Sequence, residues 1–277
     1  MMKPETFGWQ NGGGLQIFAQ CWQPESAPLA SVSLVHGYGE HCSRYAHVAK
    51  KLTQAGFSLV AFDHQGHGRS AGRRGDITSY DALLDDISRL LAEAQQRFPQ
   101  APQFLYGHSM GGNLVLNYVL RRRPQLAGGV ATSPWLRLVK PPSPVTLWLA
   151  QLLARVWPSY TSASGLDNNA ISRDPAMAQT YGNDPLNHNR ISVRLFTQIN
   201  NAGQWALDHA HEISLPLLLA HGSADRITSH EASRQFAARV PGDCTFKLWD
   251  GLYHETHNEP EQDEVIGFMV EWLRRHI

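Results

Sequence analysis

An α/β architecture, with a mostly parallel central sheet, helices on both its faces and one inserted helical cap, is what this sequence predicts. Three observations predict it. Short apolar runs ending in Gly, His or Asp recur along the chain. Segments of helical length separate them, as in a parallel sheet whose strands are joined by crossovers. The alternation stops once, at Pro134, and resumes after about Ile213.

Taken in order, Leu15 to Trp22 reads as a strand after a turn at Asn11-Gly12-Gly13-Gly14, and Phe7 to Trp9 can pair with it as a hairpin. Ser31 to Val35, Phe57 to Phe62, Gln103 to Tyr106 and Gly129 to Thr132 follow as strands. Between them lie helices near Tyr45 to Ala55, Tyr80 to Phe98 and Met110 to Arg123. The interruption holds five of the sixteen prolines before Ser159, then a polar stretch, Thr161 to Asn169, without clear period. About eighty residues are too many for a plain loop, so residues 134–213 are expected to form the cap, and residues 1–133 with 214–277 the core. The core resumes with a strand at Leu217 to Ala220, a helix near Ser229 to Val240, a strand at Thr245 to Trp249 and a helix near Gln262 to Arg275.

Composition narrows the function classes. Of 277 residues, 42% are hydrophobic and 17% charged, which is the balance of a globular protein. Lys and Arg total 24, as do Asp and Glu, so no net field exists to hold a polyanion. The one basic run, Arg121-Arg122-Arg123, falls where cations complement a helix C-terminus, and nucleic acid is not expected as a partner. Cys21, Cys42 and Cys244 are odd in number and far apart, which suits reduced, buried thiols. Met1 to Gln10 lacks the regions of a signal peptide, and the apolar stretch Val145 to Val156 is too short to span a bilayer. Cytoplasmic residence, with peripheral membrane association through the cap as an addition, is the expectation.

The chemistry is concentrated in three places. Gly107-His108-Ser109-Met110-Gly111 fits G-x-S-x-G between a strand and a helix, the setting of a nucleophile elbow in the α/β-hydrolase fold. A serine hydroxyl is a weak nucleophile at neutral pH and needs a base and a group to orient that base. In chain order the acid comes next, and Asp225, after the strand Leu217 to Ala220, suits it better than Asp208, Asp243 or Asp250. His254, in the loop after Trp249, is the base, with His257 as the nearby alternative. Backbone N–H groups of Met110 and of Tyr38, in His36-Gly37-Tyr38-Gly39-Glu40, are the expected oxyanion donors. His36 is read as a support for that loop. Fourteen histidines raise the question of a metal, but no H-E-x-x-H motif occurs, and Asp63 to Ser70 looks like a glycine-rich turn held by hydrogen bonds. No metal or other cofactor is expected.

These motifs resemble the monoacylglycerol lipase and lysophospholipase-like family of the α/β-hydrolases. The resemblance rests on His36 through His41 with Arg44-Tyr45, on Asp63 through Ser70, Gly107 through Gly112, Gly222 through Arg226 and Tyr253-His254. It extends into the cap at Ile171 to Asp174 and Tyr181 to Leu186. It implies release of a fatty acid and glycerol by the triad Ser109, Asp225 and His254, with Glu40, Arg44 and His257 near the glycerol end of the site and Tyr181 as a further substrate-binding residue. Animal members have an alanine where this chain has Tyr38, a change that keeps the backbone donor. The cap has no cysteine, so thiol-based control is not implied. The competing readings are a lysophospholipase or general carboxylesterase, and, more remotely, a non-catalytic binding protein on the same fold.

One segment bears on lipid. Val145, Trp148, Leu149, Leu152, Leu153 and Val156 recur at three- and four-residue steps across Pro144 to Trp157, giving a helix with a broad apolar face. That face either packs the cap onto the core, or lines an acyl channel and meets membranes or micelles.

Overall fold

The structure, a computed structural model, describes residues 3–277, so the first two residues of the Met1 to Gln10 stretch lie outside it. Its main sheet has eight strands: β1 (Glu5–Gln10), β2 (Gln16–Trp22), β3 (Ser31–Val35), β4 (Ser58–Phe62), β5 (Gln103–His108), β6 (Gly128–Thr132), β9 (Leu217–Gly222) and β10 (Cys244–Trp249). Their spatial order is β1-β2-β4-β3-β5-β6-β9-β10. The first two pairings are antiparallel, and every pairing from β4 to β10 is parallel.

The central strands are short apolar runs because both their faces are covered. One face carries α1 (Ala46–Gln54) and α8 (Gln262–Arg274); the other carries α2 (Tyr80–Arg97), α3 (Met110–Arg122) and α7 (His230–Ala237). The two-residue period of a strand divides its side chains between them. In β4, Leu59 and Ala61 join the cluster with Leu52 and Trp272, while Val60 and Phe62 join Leu83 and Leu114. Helix starts are capped as the sequence requires: Ser79 Oγ accepts from Ala82 N at 3.0 Å, and Ser229 Oγ from Ala232 N at 3.2 Å. The helix expected from Tyr45 begins later, because Cys42–Tyr45 form a 3₁₀ turn leading into it.

The interruption between β6 and β9 holds α4 (Pro144–Val156), β7 (Thr161–Ala163), α5 (Pro175–Asn183), β8 (Arg190–Ser192) and α6 (Val193–His209). β7 and β8 make an antiparallel ribbon separate from the main sheet. Helix α6 packs on α3: Asn113 Nδ2 donates to Ile199 O at 3.1 Å, and Asn117 Nδ2 to Ala202 O at 3.2 Å. Helix α4 is the opposite case, with no buried residue.

The basic run is spent locally. Arg121 lies over the Trp205 ring at 3.8 Å, Arg122 pairs with Asp85 and Arg123 with Glu212, each at 2.9 Å. All three cysteines are free, but Cys244 is only half-buried, because it opens the outermost strand, β10. Among the described residues no helix is long and apolar enough to cross a membrane.

Candidate active site

Strand β5 and helix α3 meet at Ser109, whose backbone takes φ 54° and ψ −114°, a strained conformation for a residue with a side chain. Neighbouring glycines make that turn possible. A Cβ on Gly107 would come 2.3 Å from Gly111 O, and one on Gly111 would come 1.9 Å from Val35 O. The sharp turn lifts Ser109 out of the sheet and sets Met110 at the first turn of α3, where a backbone N–H has no acceptor within the helix.

Three residues from three strand ends then meet. Ser109 Oγ lies 2.9 Å from His254 Nε2, and His254 Nδ1 lies 2.7 Å from Asp225 Oδ2. Asp225 is heavily solvated by the protein. Oδ1 accepts from Ile227 N at 2.7 Å and Thr228 N at 3.1 Å, and Oδ2 lies 2.9 Å from both His221 Nε2 and Thr228 Oγ1. Burial alone would raise the carboxyl pKa, but His254 and the hydrogen bonds from His221 and His254 hold it well below the usual carboxylate range. Burial would likewise lower His254, and the Asp225 charge outweighs it, so the imidazole is more basic than usual. His108, whose ring sits 4.8 Å from that of His254, stays neutral because burial and its histidine neighbours push its pKa well down.

The loop after β3 lies against Ser109: a Cβ on Gly37 would stand 3.3 Å from Ser109 Cβ. The Gly37 amide is already engaged, donating to Glu40 Oε1 at 2.7 Å, which leaves the Tyr38 amide as the next donor along the loop. His36 supports this loop, donating through Nδ1 to Gly37 O at 2.7 Å and accepting from His64 N at 3.0 Å. The turn from Asp63 is indeed knit by hydrogen bonds, with Asp63 accepting from Cys42 N and Arg69 N at 2.8 Å each. The Tyr38 ring stands edge-on to His67 and His188, at 6.1 and 5.6 Å.

A cavity of about 420 Å³ opens over Ser109. Its lining mixes apolar side chains, among them Trp135, Leu138, Ile171 and Phe196, with polar ones that include Glu40, Tyr181, Asp167, Arg226 and Glu255. Of the expected substrate-binding residues, Glu40 and Tyr181 line the cavity. Arg44 and His257 do not; they stand behind its wall. Arg44 is held by Glu40 and, in a fork, by Glu255 at 2.8 and 2.7 Å, with its guanidinium 4.8 Å over the Tyr181 ring. His257 is stacked on Tyr45 at 4.9 Å, and burial pushes its pKa down to about 3. Both side chains are consumed by packing and ion pairing, which sequence spacing does not reveal.

Sequence reasoning missed three participants. His221 and Thr228 contact Asp225, and Glu255, next to the base, anchors Arg44 while its own N–H donates to Ile171 O at 2.7 Å. The only available signal was position: each is within four residues of Asp225 or His254.

A family model described as serine aminopeptidase, S33, matches residues 26–261. A monoacylglycerol lipase of Mycolicibacterium smegmatis is 34% identical over 267 residues, which cover 96% of this chain and 95% of that protein. An abhydrolase domain-containing protein of Dictyostelium discoideum is 38% identical over 92% of this chain, which spans 27% of that longer relative. Among solved structures, the monoacylglycerol lipase of Paleococcus ferrophilus is 34% identical, covers 100% of both chains and superimposes with a TM-score of 0.86.

Proposed function

The chain belongs to the serine aminopeptidase, S33, family, and on that premise we propose that this carboxylic ester hydrolase acts on monoacylglycerols, releasing fatty acid and glycerol through an acyl-enzyme. Ser109 is the nucleophile, His254 the base and Asp225 the orienting acid. The observation that carries this reading is the hydrogen-bonded series Ser109–His254–Asp225 at a cavity lined by both apolar and polar side chains. His254 Nε2 takes the Ser109 proton as Oγ attacks the ester carbonyl carbon. The oxyanion that forms is received by the Tyr38 and Met110 amides, in a water-poor site where such donors act strongly. Collapse breaks the bond to the alcohol oxygen, which leaves with the proton from His254. Water, deprotonated by the same base, then releases the fatty acid and restores Ser109 Oγ–H.

An ester suits this pocket better than a peptide amine. Recognition of an N-terminal ammonium within the buried part of the cavity calls for an uncommitted carboxylate, and of the two buried ones that line it Glu255 is forked to Arg44 while Glu40 is bound to Arg44, Gly37 N and Tyr45 O–H. Its burial raises the carboxyl pKa, with Arg44 opposing that rise. Each methylene bound against the apolar side chains of the lining contributes up to about 0.8 kcal/mol. kcat/KM is therefore expected to rise several-fold for each two carbons until the channel fills. Monoacylglycerols of medium to long chain should outrun matching methyl esters, which cannot use the polar side chains, and triacylglycerols should hardly react. The test is hydrolysis of C2 to C18 monoacylglycerols beside methyl esters, triacylglycerols and lysophosphatidylcholine. A flat chain-length profile or a preference for lysophosphatidylcholine would overturn the monoacylglycerol assignment and leave the serine hydrolase standing.

Residues 134–213 are proposed as the cap over this cavity, and α4 as the part that meets lipid. Its apolar face is left bare, with Trp148 61% and Val156 79% exposed, and Ser143 and Pro144 start it as a regular helix. A contiguous apolar face of this kind, on a helix that begins four residues after Lys140 of the cavity lining, suits a lipid surface. Replacing Trp148 and Leu149 together by Ser should weaken flotation with phosphatidylcholine vesicles by about tenfold or more. Turnover of a soluble short-chain ester should stay within twofold. Unchanged flotation would remove the docking role.

A further inference from the structure

Asp225 Oδ2 faces two histidines, not one. Besides His254 it lies 2.9 Å from His221 Nε2, and His221 Nδ1 in turn lies 2.8 Å from Ser233 Oγ. An ionised carboxylate only accepts, so His221 must carry its proton on Nε2, and its Nδ1 then accepts from the Ser233 hydroxyl. The arrangement is a mirrored relay: Ser109, His254, Asp225, His221, Ser233. Its two halves differ in access. Ser109 opens on the cavity, whereas His221 and Ser233 are wholly buried between β9 and α7 and reach no substrate.

We propose that His221, held by Ser233, is a positioning residue for the reaction: by sharing Asp225 Oδ2 it fixes the carboxylate against His254 and limits how strongly that carboxylate holds the His254 proton. A donor on an anionic oxygen disperses its charge, so the same oxygen attracts an imidazolium less. Without His221 the full pull of Asp225 falls on His254, whose conjugate acid is then too stable to release its proton readily to the leaving alcohol. The carboxylate also gains freedom to rotate about its remaining hydrogen bonds. Thr228 does not substitute for His221, because its single hydroxyl proton is shared between Asp225 Oδ2 at 2.9 Å and Ser133 O at 3.0 Å. The other ionisable groups facing this assembly are His230 on α7, His108 at the end of β5, and Glu40 and Glu255, all of which the variants below leave in place. Burial keeps His221 less basic than a free imidazole, opposed by Asp225, in keeping with a neutral donor.

The inference rests on the triad assignment, and the experiment separates the two. His221→Leu removes the donor. Its acid limb of kcat/KM against pH should move up by about half a unit to one unit, and kcat on the plateau should fall roughly threefold to tenfold, with KM nearly unchanged. His221→Gln, whose amide can donate to the same oxygen, should return the acid limb to within about 0.2 units of wild type. A limb that stays put in His221→Leu, or that moves equally in His221→Gln, overturns the role while loss of activity in Ser109→Ala leaves the triad intact. Because a buried leucine can impair folding, the unaltered protein supplies a second readout. With ¹⁵N-histidine labelling, His221 should remain neutral with an exchange-protected proton on Nε2 from pH 5 to 9. A proton on Nδ1, or titration of His221 in step with His254, overturns the proposal.

Discussion

Ser109→Ala is expected to keep less than about a hundredth of wild-type kcat while folding normally, since only binding and the oxyanion donors remain to accelerate the reaction. Among the described residues that line the cavity, Ser109 carries the hydroxyl that lies 2.9 Å from an imidazole nitrogen made basic by a buried carboxylate. The fold should tolerate the change. Ser109 Oγ bonds only His254 within the protein, and alanine retains the backbone bonds of Ser109 N to Thr132 O and of Trp135 N to Ser109 O, each 2.9 Å. Single-turnover and steady-state rates on a monoacylglycerol, with the thermal midpoint as control, check the outcome. Activity above a hundredth in a folded variant would mean another nucleophile.

Asp225→Asn should cost on the order of 10⁴ in kcat, through tautomer rather than geometry. Aspartate accepts the proton on His254 Nδ1, which leaves Nε2 bare to receive from Ser109. Asparagine can turn its amide toward Nδ1, draw the proton to Nε2 and so remove the acceptor the serine needs. Ile227 N and Thr228 N, which donate to Oδ1, hold the amide oxygen on their side and so direct the N–H₂ toward Nδ1, where it also meets the His221 Nε2 and Thr228 Oγ1 donors that Oδ2 had accepted. Some loss of stability should therefore accompany the loss of rate. Asp208→Asn is the comparison: Asp208 is exposed on α6 and bonds only to Gln204 Nε2, and its change should be close to neutral. The reverse ranking in kcat would move the acid onto α6.

The fold and the meeting of Ser109, Asp225 and His254 were legible for the same reason. A parallel sheet buried on both faces leaves each strand as a short apolar run, and the residues that follow such runs lie at one edge of the sheet. Ser109 follows β5, Asp225 follows β9 and His254 follows β10, so reading strand ends was enough to gather them. What spacing could not supply was the direction of a side chain within a dense interior. Arg44 and His257 occupy the expected stretch of chain, yet the fork to Glu255 and the stack on Tyr45 turn them away from the cavity. His221 stood in plain view at the end of a strand, where a histidine paired with a carboxylate four residues later reads the same as one facing solvent. The interruption between β6 and β9 was recognisable by its length, but its division was not. Asn113 and Asn117, which bind α6 to α3, look in sequence like ordinary polar positions of an exposed helix face. The ribbon of β7 and β8 is three residues a side and too short for any period to register.

The insertion between β6 and β9 has a consequence for how the molecule acquires activity. Ser109 and His254 are 145 residues apart in sequence, and the whole α4-to-α6 segment is threaded between them. Strands β3 to β6 can pair through nearby crossovers, whereas β9 and β10 must close a much longer loop before they dock, a slower step by its entropy alone. A chain arrested before that step has its elbow formed and its nucleophile unassisted. Regain of hydrolysis on refolding is therefore expected to lag the recovery of sheet structure, which ester turnover followed beside far-UV circular dichroism checks.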